Sequence, residues 1–264
     1  MNRKLLTAAL ALLCGSTLSL SAGKTAVEKF DAGATKLPDG SYSVKSGRHT
    51  FSSDIIPVKN LTEASTVNIE LKAPAGENKN ISYYLGIVNF DKNGKRIEIS
   101  YVNAIKNSGT FLVAPCKKTD TVLKVKNAEK FVKNTCIAYD VKNDFSDLPN
   151  FTAKSSIRIR DFKNKGDHWE VLLSKPCGVE YPANTPVRAH YDGWYQYLIC
   201  GHTPPPNGAW KKYTIKIAGT QIGNPGTKWT VGTAGIKFIV FNNGKNTGKE
   251  GMFFRNLTIT TPDK

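Results

Sequence analysis

Between positions 191 and 197 the chain reads Tyr-Asp-Gly-Trp-Tyr-Gln-Tyr, which places Tyr191, Trp194, Tyr195 and Tyr197 close together and just after Arg188 and His190. Rings at this density suit one chemistry above others. A flat aromatic face covers the apolar C–H face of a pyranose, while polar neighbours hydrogen-bond its rim. Arg188, Asp192 and Gln196 carry donors and acceptors for such a rim, and Tyr101 and Asn103 are further candidates for the same surface. On an extended strand Tyr195 and Tyr197 project from one face and Trp194 from the other. The alternative is that these rings fill the core of a sheet, as aromatic residues commonly do.

Signals for bond-making chemistry are weaker. His49, His168, His190 and His202 are well separated, and no HExxH, GxSxG or phosphate-cradling glycine motif occurs. No catalytic residue is assigned, and the sequence favours a non-catalytic protein. Paired carboxylates can lie far apart in sequence, so a hydrolase is not excluded by spacing alone. Asp140, Asp144 and Asp147 crowd the stretch DVKNDFSDLP. Structural calcium is the one cofactor this loop leaves room for, against the simpler reading of aspartates capping local backbone groups. Asp91 and Asn93 lack the further ligands and the distant glutamate of a calcium-binding loop.

Such side chains must be positioned by β-structure, because helix signals are nearly absent. TVNIELKA (66–73), TVLKVKNA (121–128), KYTIKIAG (212–219) and NLTITT (256–261) alternate apolar and polar residues, and Gly, Asn, Asp and Pro clusters separate them. ISYYLGIVNF, DKNG and KRIEISYVNA read as strand, tight turn and return strand, with Gly94 free to take positive φ. The expected class is all-β, an antiparallel sandwich or barrel.

YYLGIVNFDKNGKRI, GAWKKYTIKIAG (208–219), GTKWTVGTAGIKFIVF (226–241) and FFRNLTI (253–259) together resemble the jelly-roll carbohydrate-binding modules of secreted polysaccharide-degrading enzymes. The resemblance covers roughly 40–110 and 190–264 and implies a jelly-roll β-sandwich that binds a glycan. The stretch between is similar to small β-modules inserted in surface and phage tail proteins. The expected layout is thus a sandwich from 24–115 and 191–264, interrupted by an inserted β-module at 116–190. Trp210 and Trp229 are expected in the sandwich core and Trp169 inside the insertion. In this layout Cys116 and Cys200 flank the insertion and are expected to pair, with Cys136 and Cys177 stapling it internally. Four free thiols are the alternative.

Residues 1–23 have a basic start, an apolar run and small residues, the pattern of a signal peptide cleaved between Ser21 and Gly23. Its apolar run is too short to span a membrane as a stable helix, and no second long apolar run follows. The formal net charge is +16, which favours polyanionic partners. The lysines are scattered among strands and not gathered on a helix, so nucleic acid is not the expected partner. The reading is an exported, non-catalytic carbohydrate-binding protein, with acidic or sulfated glycans preferred. The competing reading is a surface protein whose sandwich mediates protein–protein assembly.

Overall fold

Val, Ile, Tyr, Phe and Thr alternate with polar residues through most of the chain, a pattern that buries one face of an extended strand. The computed structural model describes residues 23–74, 82–202, 208–243 and 251–262. Within them lie twenty strands and the 3-10 turn Ile99–Tyr101. The protein is all-β, as its alternation predicts. The expected leader lies outside the described residues, apart from Gly23.

Two six-stranded sheets share the first core. The first sheet has the order β16 (Lys211–Ile217), β6 (Ser65–Lys72), β20 (Met252–Thr261), β3 (Tyr42–Val44) and β2 (Ala34–Lys36), with β1 (Gly23–Ala26) also pairing β20. The second has the order β15 (Gln196–His202), β7 (Tyr83–Phe90), β19 (Gly235–Asn242) and β4 (His49–Phe51), joined by β5 (Ile56–Pro57) and β8 (Arg96–Ile97). Val67, Ile69 and Phe254 from one sheet meet Leu85, Phe238 and Val240 from the other around the fully buried Trp229. Each such aliphatic or aromatic side chain contributes roughly 1.5–3 kcal/mol on burial. The short β17 (Thr220–Gln221) and β18 (Trp229–Thr230) pair in parallel; the other named pairings are antiparallel.

A second core lies between β9 (Thr110–Phe111), β10 (Val122–Val125), β11 (Cys136–Tyr139), β12 (Ile159–Asn164), β13 (Trp169–Leu173) and β14 (Pro186–His190). These form two three-stranded sheets, β11-β14-β9 and β10-β13-β12. A Leu112–Val125 bridge joins them at one side, and Asn134 N–H to Ile159 O and Ile159 N–H to Thr135 O join them at the other. The six strands therefore close into a small barrel that protects its edges. Ile105 and Leu112 belong to this core, so its packing begins before the boundary expected at 116. Trp169 packs half-buried against it.

The cysteine pairing expected from the layout is not observed: Cys116, Cys136, Cys177 and Cys200 are all free. The packing explains why. The Cys116 and Cys177 thiols both approach Val179 O, at 3.9 and 3.4 Å, whereas Cys136 donates to His190 O at 3.5 Å. Cys200 is exposed on β15, a strand of the sandwich. Each cysteine thus lies apart from its assigned partner. Burial pushes Cys116 up to about 11 and Cys136 up to about 12, so both remain thiols.

The hairpin turn forms as its residues dictate, with Gly94 at φ 74° and Asp91 Oδ1 accepting from Asn93 N and Lys95 N. Its return strand does not run on to 104. Only Arg96–Ile97 pairs, after which the chain turns through Ile99–Tyr101. The competing partner is Gly193: Ser100 N–H donates to Gly193 O, and a Cβ on Gly193 would lie 3.0 Å from Ile99 Cβ. The outgoing and returning chains are then zipped together by Ile105 N–H to Ala189 O, the Ala104–His190 bridge and Tyr191 N–H to Asn103 O. This zip delivers residues 191–195 to the edge of the second sandwich sheet.

Candidate functional site

Strand β7 is buried almost throughout, although its alternate residues face away from the sandwich core. What covers its outer face is a layer of rings. Phe241 pairs in register with both Tyr84 and His49, and its ring stacks on the His49 imidazole at 3.9 Å with an 8° interplanar angle. Tyr84 meets Tyr197 edge-on at 5.2 Å, and Tyr195 lies 5.7 Å from Phe51. Over this floor opens a cleft of about 580 Å³, with His49, Tyr195, Tyr197 and Phe241 below and Trp194 as a wall. Asn103, Asp192 and Asn224 supply its polar rim.

None of Tyr191, Trp194, Tyr195 and Tyr197 belongs to either core. Tyr191 and Trp194 are 46% and 49% exposed, while Tyr195 and Tyr197 are half-buried. Trp194 does not oppose Tyr195 across a strand as alternation predicts, because β15 begins only at Gln196 and residue 194 lies in a bend. All three cleft rings therefore face one opening. The Arg96 guanidinium lies 4.9 Å from the Tyr195 ring centre and 5.9 Å from that of Trp194, and donates to Trp194 O at 3.3 Å. This contact anchors the bend.

The electrostatics of the cleft are close to neutral. Burial lowers the pKa of His49, keeping its imidazole uncharged near pH 7. Burial, with smaller contributions from Tyr195 and Cys200, pushes Tyr197 up to about 12, so its hydroxyl stays a donor. Asp192 is the carboxylate in the lining, and it is ion-paired with Arg158. The arrangement offers ring stacking and hydrogen bonding; a pair of carboxylates flanking a scissile bond is not built there.

Two expected rim residues are placed elsewhere. Gln196 is buried, and its amide donates to Gly226 O and Lys228 O while its Oε1 accepts from Asn89 and Thr230. It ties the 224–230 loop to β15 and so shapes the cleft from behind. Arg188 is 3% exposed and does not line the cleft. It pairs with Asp147 at 2.9 Å, donates to Lys142 O and to His190 Nε2, and packs over Phe145. A charged side chain on a strand between two cores is buried with its counter-ion or not at all. Tyr101 packs edge-on against Phe151, away from the opening, whereas Asn103 does line it.

Two of the aspartates of 140–147 are also committed, while Asp140 is exposed. Asp144 accepts from Ser146 N, and Asp147 accepts from Lys142 N and Asn150 as well as Arg188. Trp229 lies in the core as expected, but Trp210 is half-buried on the outside of the first sheet.

Sequence reasoning missed His49, Tyr84 and Phe241, and assigned the YYLGIV strand to scaffold alone. A glycine inside a strand often marks a close approach, and Gly86 is such a signal. A Cβ there would stand 2.7 Å from Gln196 O, 2.9 Å from Ile239 Cγ2 and 3.0 Å from Tyr197 Cδ1. Gly86→Ala is therefore expected to push β15 off β7, at a cost of about 1–3 kcal/mol. Chemical denaturation measures that loss, and near-ultraviolet circular dichroism should change with it as the Tyr197 ring is displaced. An unchanged midpoint and spectrum would show that the ring does not rest on Gly86.

Fold and site together define an all-β protein with a sandwich core, a barrel core, a small third cluster around Cys136, Ala138, Val141 and Ala153, and an open aromatic cleft on the outer face of one sandwich sheet. No family model matches the chain, and no curated protein or solved structure was found to be similar to it.

Proposed function

We propose that this is an exported, non-catalytic carbohydrate-binding protein whose cleft stacks sugar rings, and that its sandwich is a jelly roll of the kind seen in carbohydrate-binding modules. The observation that carries the reading is the cleft itself: Trp194 half-exposed beside Tyr195 and Tyr197, with Asn103, Asp192 and Asn224 also in its lining. Ring faces excluded from both cores, yet held by Arg96 and the Gln196 network, form a pre-arranged surface that costs little ordering on binding. Residues of neutral character favour hydroxyl-rich ligands here. A preference for acidic or sulfated glycans must draw on charge outside this lining.

The test is a glycan array followed by titration calorimetry on the best neutral ligand. Trp194→Ala should weaken binding about tenfold or more, the loss of one stacking ring. Gly86→Ala should weaken it through Tyr197. Undiminished affinity in a folded Trp194→Ala protein, or silence across the array, would overturn the cleft reading.

A specific observation favours the assembly reading as its rival. Phe111, Val113, Val122 and Leu172 are all exposed on the barrel, and Val122 and Leu172 are cross-strand partners. If light scattering shows oligomers that Leu172→Lys dissolves, this face mediates assembly.

A further inference from the structure

The positive charge of the protein is not spread evenly over the sandwich. In the second sheet the strands carry Lys237 and Arg96 as their only Lys or Arg residues, around rings and aliphatic side chains. The first sheet is different. Register places Lys212, Glu70 and Arg255 in one row across β16, β6 and β20. Another row runs Lys216, Thr66, Thr260 and Lys24 into β1. Lys72 and Phe253 are partners in a third, where Trp210 leads into β16. Cross-strand partners share a face, and the residues alternating with these, Val67, Ile69 and Leu71, point into the core. The whole cationic set therefore faces outward.

Neutral donors and acceptors are interleaved with the charges. Thr214 Oγ1 donates to Asn68 Oδ1 at 2.7 Å, between the Lys212 and Lys216 rows. Glu70 is already held by Arg255 at 2.7 Å and by Asn256. The Trp210 ring is covered by cations, with Arg255 at 4.3 Å and Lys72 at 4.8 Å from its centre, so it presents no bare platform for an unstacked base. The field of these cations is felt by the carboxylates beside them: Asp39 is held below its ordinary value first by Ser41 hydrogen bonds and also by Lys72 and Arg255.

We propose that this outer face of the first sheet is a second binding surface, for an acidic polysaccharide lying flat across the strands. Lys72, Lys212, Lys216 and Arg255 would meet its carboxylate or sulfate groups, and Thr66, Thr214 and Asn68 its hydroxyls. Lys212 and Lys216 stand about 14 Å apart along β16, a span of several sugar units. The proposal deepens the carbohydrate reading and rests on it for the hydroxyl-bearing nature of the polymer. It assigns the charge preference to a face remote from the cleft.

The experiment compares polygalacturonate, heparin, neutral dextran and a DNA duplex, each against the wild type and three variants. One is the triple variant Lys72→Gln, Lys212→Gln, Lys216→Gln. The second, Lys106→Gln, Lys126→Gln, Lys130→Gln, removes equal charge from the other part of the chain. The third is Trp194→Ala. The first triple should lower affinity for polygalacturonate or heparin about tenfold or more at low salt, with the control triple and Trp194→Ala near wild type. Preference for polygalacturonate over heparin assigns carboxylates, and the reverse assigns sulfates. Equal losses in the two triples would mean net charge alone is responsible and overturn the proposal, as would tighter binding of DNA than of either glycan or no polyanion binding at all. Failure of the cleft reading shows separately, as neutral-glycan binding indifferent to Trp194.

Discussion

Arg188→Met should destabilise the fold by about 3–5 kcal/mol, the usual cost of removing one partner of a buried ion pair, and should leave glycan affinity unchanged in the protein that remains folded. The Arg188 and Asp147 side chains are 4% and 6% exposed, so neither charge has water to fall back on. Without the guanidinium, Lys142 O and His190 Nε2 lose their donor and Asp147 keeps a charge supported only by Asn150 and the Lys142 amide. Asp147→Asn should destabilise for the mirror reason, leaving Arg188 uncompensated. The double variant should cost clearly less than the two singles combined, because the second change removes a charge that the first had stranded. Denaturant titrations of the four proteins decide it. Single-variant losses below about 1 kcal/mol would place this pair with solvent-compensated surface bridges, and the 140–150 loop would need another anchor.

The second large effect is acid destabilisation centred on His190. Its imidazole is fully buried, Nδ1 donates to Ser100 O at 2.8 Å and Nε2 accepts from Arg188 Nε at 3.0 Å. A proton added at Nε2 would evict that donor and set a second cation against the guanidinium. Burial is the main cause lowering the pKa from 6.5 to about 4; the hydrogen bond to Ser100 O opposes it, Arg188 adds to the lowering, and Asp147 opposes it least. The unfolded chain therefore binds the proton first as pH falls. Stability from this group is complete above about pH 6.5 and declines as pH drops towards 4, by about 3 kcal/mol in all. Asp147, also held below its ordinary carboxylate value against the opposing effect of its burial, adds a further loss at lower pH. His49 is shifted by burial in the same direction as His190, so the two must be separated. Unfolding free energies at pH 7, 6, 5 and 4.5 should show a slope that His190→Asn largely abolishes and His49→Asn leaves mostly in place. The reverse assignment would show that the zip between the two cores does not sense acid.

Much of the scaffold was legible in the residues themselves. Alternation located β6 and β16 to within a residue or two and caught the C-terminal part of β20, since a half-buried strand needs little more than period-two burial. Asp91 and Gly94 specified their turn locally, through a side-chain cap and a positive φ. The aromatic run at 191–197 was also visible as a surface candidate. What failed were the inferences that depend on three-dimensional neighbours. Trp210 looks like a core residue because alternating apolar residues follow it, yet its position before Lys211 sets it beside Lys72 on the outside.

The sequence alone determined the all-β class, the turn chemistry and the presence of rings dense enough to stack on a ligand, because each follows from local pattern. Only the tertiary structure decided which rings share an opening, that Arg188 and Gln196 face inward, and that His49 and Phe241 complete the floor, with Tyr84 packed against Tyr197 and Phe241. Those outcomes turn on strand order and on where competing hydrogen bonds break a strand, as Gly193 does at Ser100. They join residues separated by up to nearly two hundred positions, and no local spacing encodes which of them will meet.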